Sequence, residues 1–334
     1  MEHNFNLKDL NTFHLECTAK EFLCLRDDKD LQHLHTIYGK EKIFVLGGGA
    51  NTVFACEYFD GLVAKVENKG FSIISEDEEN IVIEVAGGGV WKDFVMWACD
   101  KGYCGVENLA AIPGSVGAAP VQNIGAYGAE AKDSIKEVLV YDMEKNSFQW
   151  LSNQDCNFAY RYSCFKYQKG NLLIWKVRFS LKKHFTPNTS YKALKDKLEN
   201  IPQESITPML IAKMVTEIRD SKLPNPDVLG NAGSFFKNPV ISVEQYEKLK
   251  SFYPEIVAFD DEKGKKISAG WLIEQCGFKG RKVGNVGMHE KQALVLVNYG
   301  EATAEELINF AYAVIDNVKN RFDIELCPEA HIIK

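Results

Sequence analysis

The feature that most constrains this chain is a strand-like run that ends in three glycines, and it occurs twice. Residues 43–45 are apolar and lead into LGGGAN at 46–51, and residues 81–85 lead into AGGGV at 86–90. Glycine lacks a Cβ atom, so its backbone can approach another backbone or a flat ligand closely. The pattern predicts strands that end in loops built for close contact.

A third segment of this kind spans residues 112–128, with the sequence IPGSVGAAPVQNIGAYG. It carries no charged residue and is rich in Gly, Ala, Ser, Pro and Asn. One such loop alone is also typical of a tight packing corner. Three such segments in the first 130 residues predict a large cofactor held by backbone amides, because successive N–H groups form a cradle for phosphate.

The composition of the chain limits the kinds of molecule that we expect it to bind. The 334 residues carry a net charge of −7, which argues against nucleic acid or an anionic membrane surface as the main partner. No apolar run is long enough to span a bilayer, and no basic-then-apolar signal peptide is visible. The nine cysteines include no Cys-x-x-Cys pair, so we expect reduced thiols and no metal. We predict a cytoplasmic protein that is a monomer.

The periodicity of apolar residues predicts a mixed α and β chain. We expect a capping box at the start of the last helix, because Glu306 follows Thr303 by three positions. Leu307, Phe310, Ala311, Val314 and Val318 would then form its core-facing stripe. The predicted helices are 28–38, 91–101, 206–218, 243–252, 267–276 and the one that begins at Thr303. The predicted strands are 43–46, 62–66, 71–75, 81–86, 138–143, 172–181, 293–297 and 324–333.

The glycine segments do not match the common nucleotide fingerprints. In the Gly-x-Gly-x-x-Gly pattern of nicotinamide-binding folds, Thr52 takes the third glycine position after Gly47 and Gly49, and Lys92 takes it after Gly87 and Gly89. The Walker pattern is also absent from the sequence. Glycine loops without either fingerprint favour a flavin dinucleotide, whose diphosphate needs N–H donors and whose ring needs small-residue walls.

Five segments, taken in order, resemble the UDP-N-acetylenolpyruvoylglucosamine reductases. They are 46–51, 112–128, AYRYS at 159–163, GNAGSFFKNP at 230–239 and CPE at 327–329. The resemblance implies an α+β fold, with a two-part FAD-binding module of the p-cresol methylhydroxylase type and a smaller α/β substrate-binding domain. The domains implied are 1–66 with 324–334, then 67–222, and a substrate domain at 223–323.

The resemblance also implies the cofactors. FAD would be bound noncovalently, since no histidine adjoins the glycine loops, and NADPH would be the reductant. The residues that match the FAD-binding set are Gly47, Gly48, Gly49, Asn51, Pro113, Gly114, Ser115, Asn123, Gly125, Ala126 and Tyr160.

The implied reaction reduces UDP-N-acetylglucosamine enolpyruvate to UDP-N-acetylmuramate, a precursor of peptidoglycan. Hydride from flavin N5 leaves negative charge beside the substrate carboxylate, and Arg161 matches the residue that stabilises this charge. Ser234 matches the proton donor. Glu329 matches the third catalytic position, where we expect a protonated side chain that donates a hydrogen bond.

Four further residues match ligands of the UDP diphosphate: Tyr191, Lys222, Asn238 and Gln292. Tyr191 lies in a stretch that resembles the tyrosine lid loop of one subgroup. Lys237 has two interpretations, contact with the nicotinamide or a phosphate, or a solvated side chain.

Two other functions compete with the reductase. An FAD-linked alcohol oxidase on the same fold would share the glycine loops but would not need Ser234 and Glu329. A flavin-binding or nucleotide-binding interaction module would leave Arg161, Ser234 and Glu329 without a joint purpose.

Overall fold

The computed structural model describes residues 1–166 and 170–334, and the fold is α+β. Most predicted helices are confirmed, with small changes at their ends. Within the described residues the helices are α1 Asp28–Ile37, α2 Trp91–Asp100, α3 Lys192–Leu198, α4 Pro208–Lys222, α5 Val243–Phe252, α6 Ala269–Gln275 and α7 Ala304–Phe322. None of them is long and apolar enough to cross a membrane.

The strands are short, and many pair locally. In chain order they are β1 Glu2–Asn6, β2 Thr18–Leu25, β3 Ile43–Leu46, β4 Thr52–Phe54, β5 Tyr58–Val66, β6 Phe71–Glu76, β7 Asn80–Ala86, β8 Gly125–Ala126, β9 Ala129–Glu130, β10 Ile135–Asp142, β11 Ser147–Ser152, β12 Leu172–Lys182, β13 Gly230–Ser234, β14 Val240–Ile241, β15 Ala258–Asp261, β16 Gly264–Ile267, β17 Lys282–Val283, β18 Val286–Met288, β19 Val295–Asn298 and β20 His331–Ile333.

The chain divides into two compact units. The first, called unit 1, comprises residues 1–5, 19–49 and 60–221; the second, unit 2, comprises 6–18, 50–59 and 222–334. The domain boundaries at 66/67, 222/223 and 323/324 that the resemblance implies stay a prediction.

Unit 1 is built on an antiparallel sheet with the order β11-β10-β12-β7-β6. Residues on its central strand β12 alternate between two cores, because successive side chains point to opposite faces. Ile174 packs in one core with α2 and α4, and its neighbours Leu173 and Trp175 pack in the other with α1. A second sheet, β1-β2-β5-β3, adds its apolar face to the core that contains α1.

Unit 2 has one main core around α7. The predicted capping box is confirmed, because the Thr303 side chain accepts from the Glu306 amide and Glu306 binds back to the Thr303 backbone. All five residues of the predicted stripe on α7 are buried. Strands β13-β19-β18-β17 and β14-β16-β15 form two small sheets, and β20 pairs with β4 in parallel.

Several predicted elements were wrong in extent, among them the strand predicted at 62–66, which begins at Tyr58. The tail strand 324–333 is reduced to β20, because Pro328 has no amide hydrogen to continue a ladder and only isolated pairing occurs there. The strand predicted at 293–297 begins at Val295, after a turn in which the Val295 amide binds the Gln292 carbonyl. Helix α4 begins at Pro208 and continues to Lys222, past the predicted end at 218.

Candidate functional site

In unit 1, the first glycine segment and the 112–128 segment are in backbone contact. A Cβ atom on Gly48 would lie 2.7 Å from Gly114 Cα, and one on Gly47 would lie 2.6 Å from Ser115 Oγ. A side chain at position 48 would meet backbone atoms that cannot move aside, so this position requires glycine, and one at position 47 would displace the Ser115 hydroxyl. Two of the sequence segments predicted to cradle a cofactor therefore meet at one place.

The remaining glycine segment supports the 112–128 segment from another side. The amides of Val116 and Gly117 donate to the carbonyls of Gly89 and Gly87 at 2.8 and 2.7 Å. The buried Asn68 holds this support in place, because its side chain accepts from the Gly88 amide and donates to the Trp175 carbonyl. Residues 87–89 thus use their carbonyls for the protein rather than for a ligand.

Ser115 is the best indication of a ligand at this junction. Ser115 is only 8% exposed, and its Oγ atom has no hydrogen-bond partner within the described part of the chain. An unsatisfied buried hydroxyl costs about 1–3 kcal/mol. A phosphate oxygen placed beside Gly47, Gly48 and Ser115 would remove that cost, so these residues fit a dinucleotide diphosphate.

Arg161 is held by the far half of the 112–128 segment. Its Nη2 donates to the Gly125 carbonyl at 2.9 Å, and its guanidinium lies 5.3 Å from the centre of the Tyr160 ring. The backbone of Arg161 is left-handed, with φ +52°. This conformation is uncommon for a residue other than glycine and points to a constrained, functional position.

Asn123 and Ala126, both predicted to contact FAD, occupy the same half. Asn123 is fully buried, and its side-chain nitrogen donates to Glu130 Oε2 at 3.0 Å and to the Ala159 carbonyl at 3.1 Å. Its Oδ1 accepts from the Lys132 amide at 2.9 Å. Ala126 and Gly125 form the short strand β8. Their contacts with FAD stay predictions, as does that of the exposed Pro113.

Tyr191 packs against Tyr127 at the end of the 112–128 segment, with ring centres 4.8 Å apart and planes at 80°. Two asparagines hold this arrangement. Asn108 Nδ2 donates to the carbonyls of Tyr127 and Asn188 at 2.8 and 3.0 Å, and Asn188 Nδ2 donates to the Gly128 carbonyl at 2.9 Å. The predicted lid residue is thus joined to the glycine-rich segment.

Arg219 is a charged residue of this region that the sequence did not single out. Burial lowers the pKa of its guanidinium, and the positive charge of Arg161 acts in the same direction, whereas Tyr127 and Asp220 oppose the shift. Burial also raises the pKa of Tyr127 to about 12. Arg219 lies in the last turns of α4 beside Asp220, where a basic residue is ordinary, so no sequence pattern pointed to it.

In unit 2, Ser234 and Glu329 lie on neighbouring backbones. Ser234 ends β13 opposite Val295 of β19. The Glu329 amide donates to the carbonyl of Phe235 at 2.7 Å, and the Lys237 amide donates to the Cys327 carbonyl at 3.0 Å. The segments 230–239 and 327–329, which are far apart in sequence, are therefore brought together.

Asn51 joins the same group in unit 2. Its side-chain nitrogen donates to the Glu329 carbonyl at 3.2 Å, and its own carbonyl accepts from the His331 amide at 2.8 Å. Glu329 is 8% exposed. A buried carboxyl group whose backbone is fixed on both sides is well placed to act at a defined position.

Asn238 and Gln292, two predicted diphosphate ligands, meet at the start of α6. Asn238 Oδ1 accepts from the Ala269 amide at 2.9 Å, and a Cβ atom on Gly270 would lie 3.4 Å from Gln292 Oε1. Lys222, the third of these ligands in unit 2, is the last residue of α4. The structure brings the first two together, and the ligand roles stay predictions.

No group of three or more His, Cys, Asp or Glu side chains that could hold a metal ion occurs in residues 1–166 and 170–334. The nine cysteines are free thiols.

Comparisons with known proteins agree with this arrangement. The model of the "FAD binding domain" family matches residues 20–147, and the model of "UDP-N-acetylenolpyruvoylglucosamine reductase, C-terminal domain" matches residues 225–333. The UDP-N-acetylenolpyruvoylglucosamine reductase of Chromobacterium violaceum is 43% identical, over 98% of this chain and 97% of its own length. That of Bdellovibrio bacteriovorus is 43% identical over 98% of each chain.

Among solved structures, the fold is similar to that of UDP-N-acetylenolpyruvylglucosamine reductase from Thermus caldophilus. The TM-score is 0.69 at 22% sequence identity, and the match covers 99% of this chain and 98% of the other. At this identity the likeness establishes the fold.

Proposed function

This chain belongs to the UDP-N-acetylenolpyruvoylglucosamine reductase family, and we propose that it reduces UDP-N-acetylglucosamine enolpyruvate to UDP-N-acetylmuramate with NADPH. As a member it is an oxidoreductase with an FAD-binding domain. The product would enter peptidoglycan precursor synthesis, and we propose that the enzyme works in the cytoplasm. The pairing of residues 235–237 with 327–329, which brings Ser234 and Glu329 onto neighbouring backbones, carries the proposal, because the competing oxidase needs neither residue.

The residues that would hold the FAD diphosphate are Gly47, Gly48, Gly49, Gly114 and Ser115. The close backbone contact of the two loops and the unsatisfied Ser115 hydroxyl support this assignment. When bound, FAD would supply the hydride for the carbon–carbon double bond of the substrate. The protein residues would bind the substrate, stabilise its charge and supply its proton.

Arg161 would bind the carboxylate of the enolpyruvyl group. A guanidinium is always charged and can donate two parallel hydrogen bonds to a carboxylate. During hydride addition, charge builds up on the adjacent carbon and spreads into that carboxylate. A preorganised cation stabilises this charge without reorganisation at the moment of reaction.

Ser234 would donate its hydroxyl proton to the carbon that carries the negative charge. A serine hydroxyl is a weak acid, but the carbanion beside a carboxylate is a much stronger base, so the transfer runs downhill. Glu329 would donate a hydrogen bond to the same charged group. The hydrogen bond from the Glu329 amide to the Phe235 carbonyl supports the idea that the Ser234 and Glu329 side chains serve one reaction.

The UDP diphosphate would contact Tyr191, Lys222, Asn238 and Gln292. Tyr191 would close over it as a lid, which its contact with Tyr127 supports. Asn238 and Gln292 present amide groups near the start of α6, and Lys222 would add a positive charge. Lys237 keeps both of its interpretations.

The test is a two-step stopped-flow experiment on the purified flavoprotein. NADPH is added without oxygen, flavin absorbance is followed, and the reduced protein is mixed with UDP-N-acetylglucosamine enolpyruvate. Fast recovery of oxidised flavin with formation of UDP-N-acetylmuramate is expected. If the flavin stays reduced until air enters, the alcohol oxidase becomes the better hypothesis.

The variant Ser234→Ala sharpens the test. Its flavin should be reduced by NADPH at the parent rate, while reoxidation by the substrate slows by about 10²–10⁴-fold, the size of a missing general acid. Ser242→Ala, which removes the cap of α5 in the same unit, is the matched control and should leave both steps unchanged. Equal loss of both steps in Ser234→Ala would instead mean that Ser234 positions the flavin.

A further inference from the structure

We propose that Asn123 and Ser163 are positioning residues that fix the direction of the Arg161 guanidinium, and that Gly125 provides the space for it. The proposal rests on the role of Arg161 in the proposed function. It assigns this half of the 112–128 segment to the substrate carboxylate, whereas the sequence had placed Asn123 and Gly125 against FAD.

The first observation is that residues 159–163 are attached to residues 121–125 at three points. Ser163 Oγ donates to the Val121 carbonyl at 2.6 Å. Asn123 Nδ2 donates to the Ala159 carbonyl at 3.1 Å, and the third attachment is the Arg161 bond to the Gly125 carbonyl. Since the first two lie on either side of Arg161, they fix the turn from which its side chain projects.

The second observation is the burial of the two supporting residues. Asn123 and Ser163 are both 0% exposed, so water cannot replace their hydrogen bonds. The Ala159 and Tyr162 backbones close a tight turn through two mutual hydrogen bonds of 3.0 and 3.1 Å. Ala159 and Tyr162 are themselves exposed, so the left-handed Arg161 backbone depends on the two buried attachments in order to persist.

The third observation is the space beside Gly125. A Cβ atom at this position would lie 3.1 Å from Arg161 Nη1 and 3.0 Å from the Ala129 carbonyl. The guanidinium would have to move by a few tenths of an ångström. Gly125 therefore leaves the guanidinium its present place, which gives a reason for this glycine that does not involve the flavin.

The chemical consequence follows from the sensitivity of catalysis to orientation. A charged group misplaced by about 1 Å can lower the rate by about 10²-fold. The hydrogen bonds of Asn123 and Ser163 fix the backbone on either side of Arg161. Loss of one of them should therefore weaken carboxylate binding and charge stabilisation while the diphosphate loops at Gly47 and Ser115 stay intact.

The experiment compares Ser163→Ala and Ser163→Thr with the parent holoenzyme. Four quantities are measured: FAD content, the rate of reduction by NADPH, the Kd of the oxidised enzyme for the enolpyruvyl nucleotide, and its Kd for UDP-N-acetylglucosamine. The second nucleotide lacks the carboxylate, so it reports on diphosphate contacts alone. Reoxidation by the enolpyruvyl nucleotide is followed as well.

For Ser163→Ala we expect FAD content, NADPH reduction and the Kd for UDP-N-acetylglucosamine to stay within twofold of the parent. The Kd for the enolpyruvyl nucleotide should rise several-fold, and reoxidation should slow by about 10–10²-fold. Ser163→Thr keeps the hydroxyl and should restore most of the rate. In an Arg161→Ala background, Ser163→Ala should have no further effect, because the group it positions is absent.

Asn123→Asp is the second test. The substitution keeps the shape but removes both N–H donors and places an acceptor against the Ala159 carbonyl and Glu130. The same pattern as in Ser163→Ala is expected, and Gly125→Ala should give it in weaker form. Matched controls are Ser134→Ala, which also removes a buried hydroxyl bound to a carbonyl, and Asn11→Asp in unit 2.

Loss of FAD, or equal slowing of reduction and reoxidation, would overturn the proposal and would mean that Asn123 and Ser163 support the flavin site instead. Equal weakening of both nucleotides would also overturn it. If Asn123→Asp does not fold, the comparison of Ser163→Ala with Ser163→Thr decides whether the proposal holds. If the enolpyruvyl nucleotide does not reoxidise the parent enzyme, the proposed function itself is refuted. The measurement on the parent shows this before any variant is compared.

Discussion

The two ends of residues 121–128 hold their neighbours in different ways. At residues 121–125, the Arg161 turn is attached through Asn123 and Ser163, both fully buried. At residues 127–128, the Tyr191 segment is attached through Asn188 at the surface and through the buried Asn108, and Tyr191 is 40% exposed. Water can replace the surface bond of Asn188, but it cannot replace the bonds of Asn108, Asn123 and Ser163.

This difference indicates that one short segment serves two purposes. The buried attachments keep a charged group in one place, as charge stabilisation requires. The surface bond between Asn188 and Gly128 contributes little net free energy, because a bond lost to the protein is regained from water. We therefore expect the Arg161 turn to stay fixed and the Tyr191 segment to open and close.

The largest effect is expected at the fixed end, from Arg161→Lys. A lysine keeps the charge but cannot reproduce the planar, two-pronged geometry. Reoxidation by the enolpyruvyl nucleotide should slow by about 10²–10³-fold, with reduction by NADPH unchanged in the same stopped-flow trace. Arg26→Lys, at an exposed arginine bound to Glu67, is the control. A change below threefold in Arg161→Lys would mean that charge alone matters and that the fixed geometry has no function.

A smaller effect is expected at the exposed end, from Gly128→Ala. A Cβ atom there would lie too close to Ser190 Oγ and 3.3 Å from Asn188 Oδ1, so the Tyr191 segment would be displaced. The KM for the enolpyruvyl nucleotide should rise by about tenfold, equivalent to 1.4 kcal/mol, while kcat changes less. Proteolysis at residues 186–191 should become faster.

Gly39→Ala separates displacement from backbone strain. Gly39 has φ +78°, close to the +83° of Gly128, but a Cβ atom there would meet nothing within 4 Å. Both variants share the cost of a left-handed alanine, and only Gly128→Ala should alter KM. Equal changes of KM in the two variants would remove the evidence that displacement of the Tyr191 segment affects substrate binding.

The smallest effect at neutral pH is expected for Tyr127→Phe. Burial raises the pKa of the Tyr127 phenol from 10.0 to about 12, so the folded protein keeps a proton that the unfolded chain loses above pH 10. The stability that this group contributes is present below pH 10 and is lost as the pH rises to 12. Urea unfolding should show a shallower decline of stability between pH 10 and 12 in Tyr127→Phe. If the free energy of unfolding declines equally in the parent and the variant, the Tyr127 phenol is hydrated and residues 127–128 make no water-free contact.

Much of the secondary structure followed from local patterns. The start of α7 was predicted from Thr303 and Glu306, because a capping box involves only neighbours in sequence. The tail strand was predicted too long, since the pairing of Pro328 with Phe236 depends on a segment about 90 residues away. Local alternation contains no information about such partners.

The residues of the candidate site also divide into those that local sequence patterns could predict and those that they could not. The glycine loops and the motifs around Arg161, Ser234 and Glu329 could be recognised from residue types and their order. Arg219 could not, because its proximity to Arg161 and Tyr127 arises only when α4 packs in unit 1. The attachments of Asn123 were equally invisible, since an asparagine in a glycine-rich loop is just as compatible with a ligand contact.

The sequence by itself determined most of the helices, several of the strands and the loops with no room for side chains, because these depend on propensity, periodicity and the absence of Cβ atoms along one stretch of chain. Only the tertiary structure decided which of those loops touch, which polar atoms lose their water and which residues hold Arg161 in place. Those properties depend on distances between segments far apart in sequence, and burial, which gives each hydrogen bond its weight, exists only once the chain has folded.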